Sequence, residues 1–437
     1  MQILDWQQLD EAARRKALQR PAADLQPQVL QQARAIVEAV RDQGESAVRR
    51  YARQFDGIAP EPLLVGTEEF ATARAALSSA QIQAIERAIA NVERFHRAGQ
   101  PASQSLEVQP GVRCERLLRP LTAVGLYVPA GAAPLPSTVI MLAVPAGIAG
   151  CPLRVLCTPP RRDGAANAAV LVAAQLCGIE LVFKLGGAQA IAALAYGCAG
   201  IPKVLKIFGP GNAWVTAAKQ LVAADPDGAA LDLPAGPSEV LVIADDSARA
   251  EFVAADLLAQ AEHDALAQAI LVTPSALLAS RVAECIHQQL CERTRQGILQ
   301  QSLAAARILV VADLQQAVAV SERYAPEHLI LSTREPRALL ERVQHAGSVF
   351  LGHWSPEPLG DYCSGTNHVL PTYGYARSYS GLSVQDFVRS MTVQELSPDG
   401  LLELGPTAST LARLEGLDAH AAAVELRLAA LRRERAA

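Results

Sequence analysis

Through the first hundred residues, apolar positions recur with the period of a helix. In the stretch 29–55, Ile36, Val37, Val40, Ala47, Val48 and Tyr51 fall at helical spacings with charged residues between them. From about residue 120 the rhythm changes to short β-rich runs. These are LTAVGLYV (121–128), LRVLC (153–157), ELVFKL (180–185) and KVLKIF (203–208), separated by helical patterns such as 165–177 and 212–223. A second series follows: EVLVIAD (239–245), AILVT (269–273), RILVVA (307–312), HLILS (328–332) and GSVFLG (347–352). Helical patterns near 248–262, 275–294 and 313–323 lie between them. Strands alternating with helices predict parallel sheets covered on both faces, and two series predict two doubly wound α/β halves. Beyond 372 the pattern reads as helical and ends in a basic, Leu/Ala-rich helix from about 407. Pro234, Gly236 and Pro237 interrupt the pattern in DLPAGPSEV (232–240), which reads as the link between the halves. Ligands of doubly wound folds gather beyond strand ends, so this loop is a natural place for a substrate.

Composition narrows the class. The chain has 437 residues, half of them hydrophobic, which excludes global disorder and suits more than one core. Only 4% are aromatic, so the apolar mass is aliphatic, as expected for helices packed on parallel strands. Lys+Arg number 39 against 44 Asp+Glu, so there is no basic excess for a general nucleic-acid partner. Residues 120–153 carry no full charge, long enough on paper to span a bilayer. Six prolines and four glycines punctuate that run, so it reads as strand, loop, buried helix and loop, with no membrane partner. The first residues are charged and amphipathic rather than signal-like, and the eight cysteines form no C-x-x-C pair. Buried free thiols and a cytoplasmic location are expected.

Candidate chemistry is sparse. Gly209-Pro-Gly211-Asn212 follows a strand and opens a helix, but Trp214 occupies the third glycine position of the dinucleotide fingerprint. Gly186-Gly187 also precedes a helix. Either turn can offer backbone N–H groups to an anion, and either can be an ordinary strand-to-helix turn. The eight histidines divide by context. Gln260-x-x-His263 reads as one helical face. Glu327-His328 follows Pro326, which biases Ala325 away from the helical region and places the pair at a strand start. Such a pair can share base and acid roles, or be a charged turn. His368 follows Asp361 by seven residues, and His420 follows Glu415 by five. No H-E-x-x-H or paired-cysteine spacing marks a metal site, so capping and loop roles remain open for these four. His96, His287, His345 and His353 lie in polar contexts and read as surface residues.

Together, GLYVPAG (125–131), KLGGAQAIAALAYG (184–197), GPGN (209–212), DLPAGPSEVLVIAD (232–245), QAEH (260–263), APEHLIL (325–331), DYCSGTNHVLPT (361–372) and EGLDAH (415–420) occur in an order that resembles the histidinol dehydrogenase family. The resemblance runs from the DGIA segment near 56 to the last helix. It implies oxidation of L-histidinol through L-histidinaldehyde to L-histidine, the last two steps of histidine biosynthesis, with two NAD reduced and one zinc ion per subunit. It implies Gln260, His263, Asp361 and His420 as zinc ligands that also meet the substrate, and Glu327 and His328 as the acid/base pair. Ser238, His368 and Glu415 match substrate-contacting positions, as does His328. Tyr127, Gln189 and Asn212 match the NAD-holding positions. It also implies two Rossmann-like halves, at 111–236 (holding NAD) and 237–375 (zinc and catalysis). An N-terminal helical region at 1–110 precedes them. A C-terminal helical segment at 376–437 reaches the partner of a homodimer with shared active sites. Ala130, Cys363 and the residues flanking GPGN depart from the family pattern and touch the cofactor turns. The rival activities are a related zinc/NAD dehydrogenase of another small polar alcohol, such as a sulfonated diol, and a zinc hydrolase with Glu327 activating water.

Overall fold

The computed structural model describes residues 1–21, 27–130, 134–234 and 236–437; Gly131 of GLYVPAG and Ala235 of DLPAGPSEV lie outside the described residues. The chain divides into two compact units, residues 1–99 with 121–387 and residues 100–120 with 388–437.

The larger unit contains two parallel sheets of the same topology. In the first, the central strand Ala123–Tyr127 is flanked on one side by Leu153–Thr158 and then Leu181–Lys184. On its other side lie Lys206–Phe208 and then Ala230–Leu231. In the second, the central strand is Glu239–Ala244. Gln268–Thr273 and Arg307–Val310 extend it one way, His328–Ser332 and Ser348–Leu351 the other. Each sheet starts at its centre, builds outward, then returns to build the opposite side. That reversal opens a crevice beyond the carboxyl ends of the two strands where the order switches. The two α/β halves expected from the strand rhythm are therefore present.

The reason lies in the strands themselves. Every residue of Glu239–Ala244 (EVLVIA) and of Gln268–Thr273 (QAILVT) is buried, as a strand covered by helices on both faces requires. Helix Pro136–Ala149 occupies the uncharged run. Ser137 to Ala146 are all buried, so this helix is apolar all round because it lies in the core. Pro136 starts it, and Gly150, in the left-handed conformation, ends it. No helix among the described residues is long and apolar enough to cross a membrane.

Helices Pro27–Gln43, Glu45–Phe55, Thr67–Ala76 and Ser79–Ala98 supply the expected N-terminal helical region and pack onto the two faces of the first sheet. Three expectations for this region change, the first being that Gln104–Gln109, expected within the helical region 1–110, is a strand of the smaller unit. Gln2–Asp5 is a strand, parallel to Arg307–Val310 at the edge of the second sheet. Four residues are too few to display a period of two. His96, expected at the surface, is buried at 4% exposure. It shares a face with Ala88 and Val92, eight and four positions earlier, and its charged sequence neighbours point elsewhere.

In the smaller unit, Gln104–Gln109, Val112–Pro120 and Val388–Leu396 form an antiparallel sheet with Val112–Pro120 in the middle. The helical reading beyond 372 is thus corrected at 388–396. That strand is largely solvent-facing, so burial writes no apolar alternation into it. Helices Pro398–Leu414 and Asp418–Ala436 pack together, with Gly405 lying against Leu428 where a Cβ would meet the leucine at 3.0 Å. Ser397 caps the first of them by accepting the Gly400 N–H at 3.1 Å.

Candidate active site

The central strand of the second sheet begins at Glu239, and its neighbour begins at His328, which pairs in register with Val240. Glu239 and Glu327 therefore meet at the amino ends of adjacent strands, opposite the edge where ligands of such sheets usually gather. The backbone of Glu239 engages both members of the following pair. Its N–H donates to Glu327 Oε2 at 2.7 Å, and its carbonyl accepts from His328 Nδ1 at 3.0 Å. The turn before them is tight: Ala325 has φ +53°, a left-handed value that is unusual for an alanine. Pro326 does therefore keep Ala325 out of the right-handed helical region, and the pair stands at a strand start.

With Nδ1 committed to a carbonyl, a neutral His328 carries its proton there and presents Nε2 as a lone pair. Nε2 is buried and has no hydrogen-bond partner among the described residues; Asp361 Oδ1 lies 3.5 Å away. Helix Glu357–Tyr362 brings Glu357 and Asp361 onto one face, four residues apart, and both are buried. Asp361 Oδ2 is 3.9 Å from His263 Nε2. Helix Ala250–Ala261 ends just before His263, so the histidine sits beyond the helix rather than on its face. Gln260, on the last turn, is fully buried, and its amide nitrogen, assigned from the surrounding acceptors, donates to Glu357 Oε2 at 3.3 Å and the Glu239 carbonyl at 3.2 Å. His368 donates from Nδ1 to the Asp361 carbonyl at 2.7 Å, and its Nε2 lies 3.3 Å from Thr138 Oγ1. Ser238 is half-buried immediately before Glu239, its carbonyl accepting the Gln268 N–H at 3.1 Å.

Burial of so many carboxyl groups shifts their proton affinities. It pushes Glu327 and Glu357 each up to about 8, and Asp256, one turn before Gln260, up to about 7. His328, which burial alone would lower, is raised well above its ordinary value by Glu327, Glu357 and Asp361. Asp361 is lowered despite burial, chiefly by His328. His263 and His368 are lowered by burial. Such a cluster, short of positive charge, suits a divalent cation. Ligand atoms of His263, Glu357 and Asp361 lie within 4.8 Å of one another, and the oxygen and imidazole donors match zinc. The set also fits because Gln260 adjoins Glu357. Glu357 is the residue that the sequence pattern did not reveal; its i, i+4 spacing to Asp361 was the available signal.

The first sheet presents the second group of residues. Its reversal lies between Ala123–Tyr127 and Lys206–Phe208, so the crevice is bounded by Tyr127 and the Gly209–Asn212 turn. Tyr127 is buried, and its hydroxyl accepts the Gly187 N–H at 3.0 Å. Gln189 is fully buried beneath the same turn, donating to Asp56 Oδ2 at 3.4 Å, while its Oε1 has no partner among the described residues. Asn212 is exposed and caps helix Ala213–Ala223 by accepting the Val215 N–H at 3.1 Å. The GPGN turn is fastened from below: Asp232 accepts the Gly209 N–H at 2.7 Å, and the buried Lys219 donates to the Gly209 carbonyl at 3.0 Å and to Asp232. Neither Lys219 nor Asp232 was legible as part of this turn.

The structure thus gathers Ser238, Gln260, His263, Glu327, His328, Asp361 and His368 in one region, and Tyr127 with Gln189 at another. Glu415 and His420 belong to the smaller unit, where both are exposed, at the end of Pro398–Leu414 and in the first turn of Asp418–Ala436. Of the four remaining histidines, His287 is exposed as expected. His345 is half-buried and pairs with Glu322 at 2.8 Å. His353 is half-buried between Ser332 and Ser247, at 2.9 and 3.2 Å.

Comparison with known proteins gives one answer along the whole chain. A family model described as histidinol dehydrogenase matches residues 18–428. The histidinol dehydrogenase of Xanthomonas oryzae pv. oryzae is 54% identical over 428 residues, covering 98% of this chain and 99% of that one. That of Pectobacterium atrosepticum is 50% identical over 432 residues, covering 99% and 97%. The crystal structure of histidinol dehydrogenase from Elizabethkingia anophelis superposes with a TM-score of 0.93 at 43% identity, covering 99% of each chain.

Proposed function

This chain belongs to the histidinol dehydrogenase family, and from that premise we propose that it oxidises L-histidinol through L-histidinaldehyde to L-histidine. Two NAD are reduced, and one zinc ion per subunit is held by Gln260, His263, Asp361 and a His420. The observation that carries the reading is His328: Nδ1 engaged by the Glu239 carbonyl, Nε2 buried and without a hydrogen-bond partner among the described residues.

His328 Nε2 takes the hydroxyl proton of the substrate as hydride departs to NAD. The Glu239 carbonyl holds the ring in place and accepts the Nδ1 proton throughout, so the imidazolium that forms stays hydrogen-bonded. In the second oxidation, Glu327 removes a proton from the water that adds to the aldehyde. The Glu239 N–H fixes Oε2, which leaves Oε1 for that water. After His328 has released its first proton to solvent, Nε2 takes the proton of the hydrated aldehyde as the second hydride leaves. The zinc ion, when bound, supplies positive charge that orients the substrate's imidazole and amine and offsets the carboxylates that otherwise hold a proton on His328. Ser238, His368 and Glu415 contact the substrate. NAD lies at the crevice of the first sheet, on Tyr127, Gln189 and Asn212.

Glu415 and His420 complete the site of the neighbouring subunit in a homodimer. Mixed dimers test that. One subunit carrying His328→Asn and another carrying His420→Asn are each inactive alone, and random mixing restores about a quarter of wild-type turnover, because half the dimers regain one of two sites. No recovery refutes the shared site. The activity itself is tested by absorbance at 340 nm with zinc-loaded protein, NAD and L-histidinol. NADH is expected. No NADH, or NADH only with a sulfonated diol, overturns the assignment.

A further inference from the structure

The acid/base pair is tied to the amino-terminal segment through one side chain. Arg20 is nearly buried and forks onto Glu239, Nε to Oε1 at 2.5 Å and Nη2 to Oε2 at 2.9 Å. Nη2 also donates to the Tyr324 carbonyl at 2.9 Å and lies 3.5 Å from the Ala325 carbonyl. The guanidinium stacks over the Tyr324 ring at 4.0 Å. Glu239 Oε1 accepts the Tyr373 N–H at 2.8 Å. Arg20 therefore holds both strand entrances at once: Glu239, whose backbone engages Glu327 and His328, and the left-handed turn at Ala325 that delivers them.

We propose that Arg20, acting through the Glu239 side chain, is a positioning residue that sets Glu327 and His328 in their working geometry. The proposal rests on the acid/base reading of that pair. Only arginine fits the arrangement. Its planar fork reaches a carboxylate in two places while stacking on an aromatic ring and donating to a carbonyl, and lysine offers a single point charge instead. Outer-shell partners that orient the residues of a metal site commonly change affinity or activity 10- to 100-fold when altered.

The test is Arg20→Lys in the zinc-loaded enzyme, which keeps a cation beside Glu239. The expected result is a fall in kcat of about 10- to 100-fold, with KM for L-histidinol and for NAD essentially unchanged and zinc content retained. Introduced into a His328→Asn background, the same change is expected to add little further loss, because residues acting as a unit are not additive. Unchanged kcat overturns the proposal, as does an equal loss in both backgrounds, which is the mark of a general structural role. If Arg20→Lys does not fold, Glu239→Gln, which keeps an acceptor for the Tyr373 N–H, takes its place: the same fall in kcat is expected, and unchanged kcat or an equal loss in both backgrounds again overturns the proposal. If His328→Asn keeps wild-type turnover, the acid/base reading fails instead, whatever Arg20→Lys does.

Discussion

His328 donates a hydrogen bond from Nδ1 to the carbonyl of Glu239 at 3.0 Å, and this assigns the chemistry to Nε2. An asparagine at 328 retains a donor for that carbonyl and removes the base. His328→Asn is therefore expected to lower kcat by about 10²–10⁴-fold while the melting temperature and zinc content stay near wild type. Turnover within a few-fold of wild type refutes the base assignment.

Glu327 is assigned to the second oxidation only. Glu327→Gln keeps an acceptor for the Glu239 N–H and cannot take a proton from water. Oxidation of supplied L-histidinaldehyde is expected to fall by about 100-fold, and the first oxidation much less, followed in single turnovers by NADH absorbance. Equal losses in both steps contradict the division of roles.

Much of the fold was readable because burial is written into composition. EVLVIAD and HLILS are apolar runs of strand length, and the structure uses them as adjacent strands of one sheet. Glu327-His328 at a strand start was readable too, because proline limits the residue before it. What escaped reading depends on distance or brevity. Arg20 and Glu239 are separated by 219 positions, and no local pattern links them. Glu357 stands in a six-residue helix between prolines, where a helical period barely registers. His96 was misread because its neighbours Glu93, Arg94 and Arg97 are charged, although Ala88, Val92 and His96 follow one face.

Glu357 anchors the Gln260 amide and stands within reach of the same cation as His263 and Asp361. Glu357→Leu is expected to weaken zinc binding by about 10- to 100-fold, measured by competition with a chromophoric chelator. Unaltered zinc affinity contradicts this role.

Asp56, beside Gln189, is raised from 3.8 to about 6 by burial, against the hydrogen bonds of Gly186 and Gln189. Between those values the folded chain keeps a proton that the unfolded chain has released, so this carboxyl erodes stability as pH rises from about 4 to 6, with no further change above. Asp56→Asn lacks that effect. The melting temperature of wild type minus that of Asp56→Asn should fall across that window and level off above pH 7. A difference independent of pH contradicts the buried, proton-holding Asp56.

The central claim is that one site, built on Glu327 and His328, carries both oxidations. Its most direct measurement is the stoichiometry of the zinc-loaded enzyme: NADH formed for each L-histidinol consumed, with excess NAD and an aldehyde trap present. Two NADH per histidinol, with L-histidine as product and no trapped aldehyde, is the predicted result. One NADH per histidinol with L-histidinaldehyde captured by the trap would contradict it.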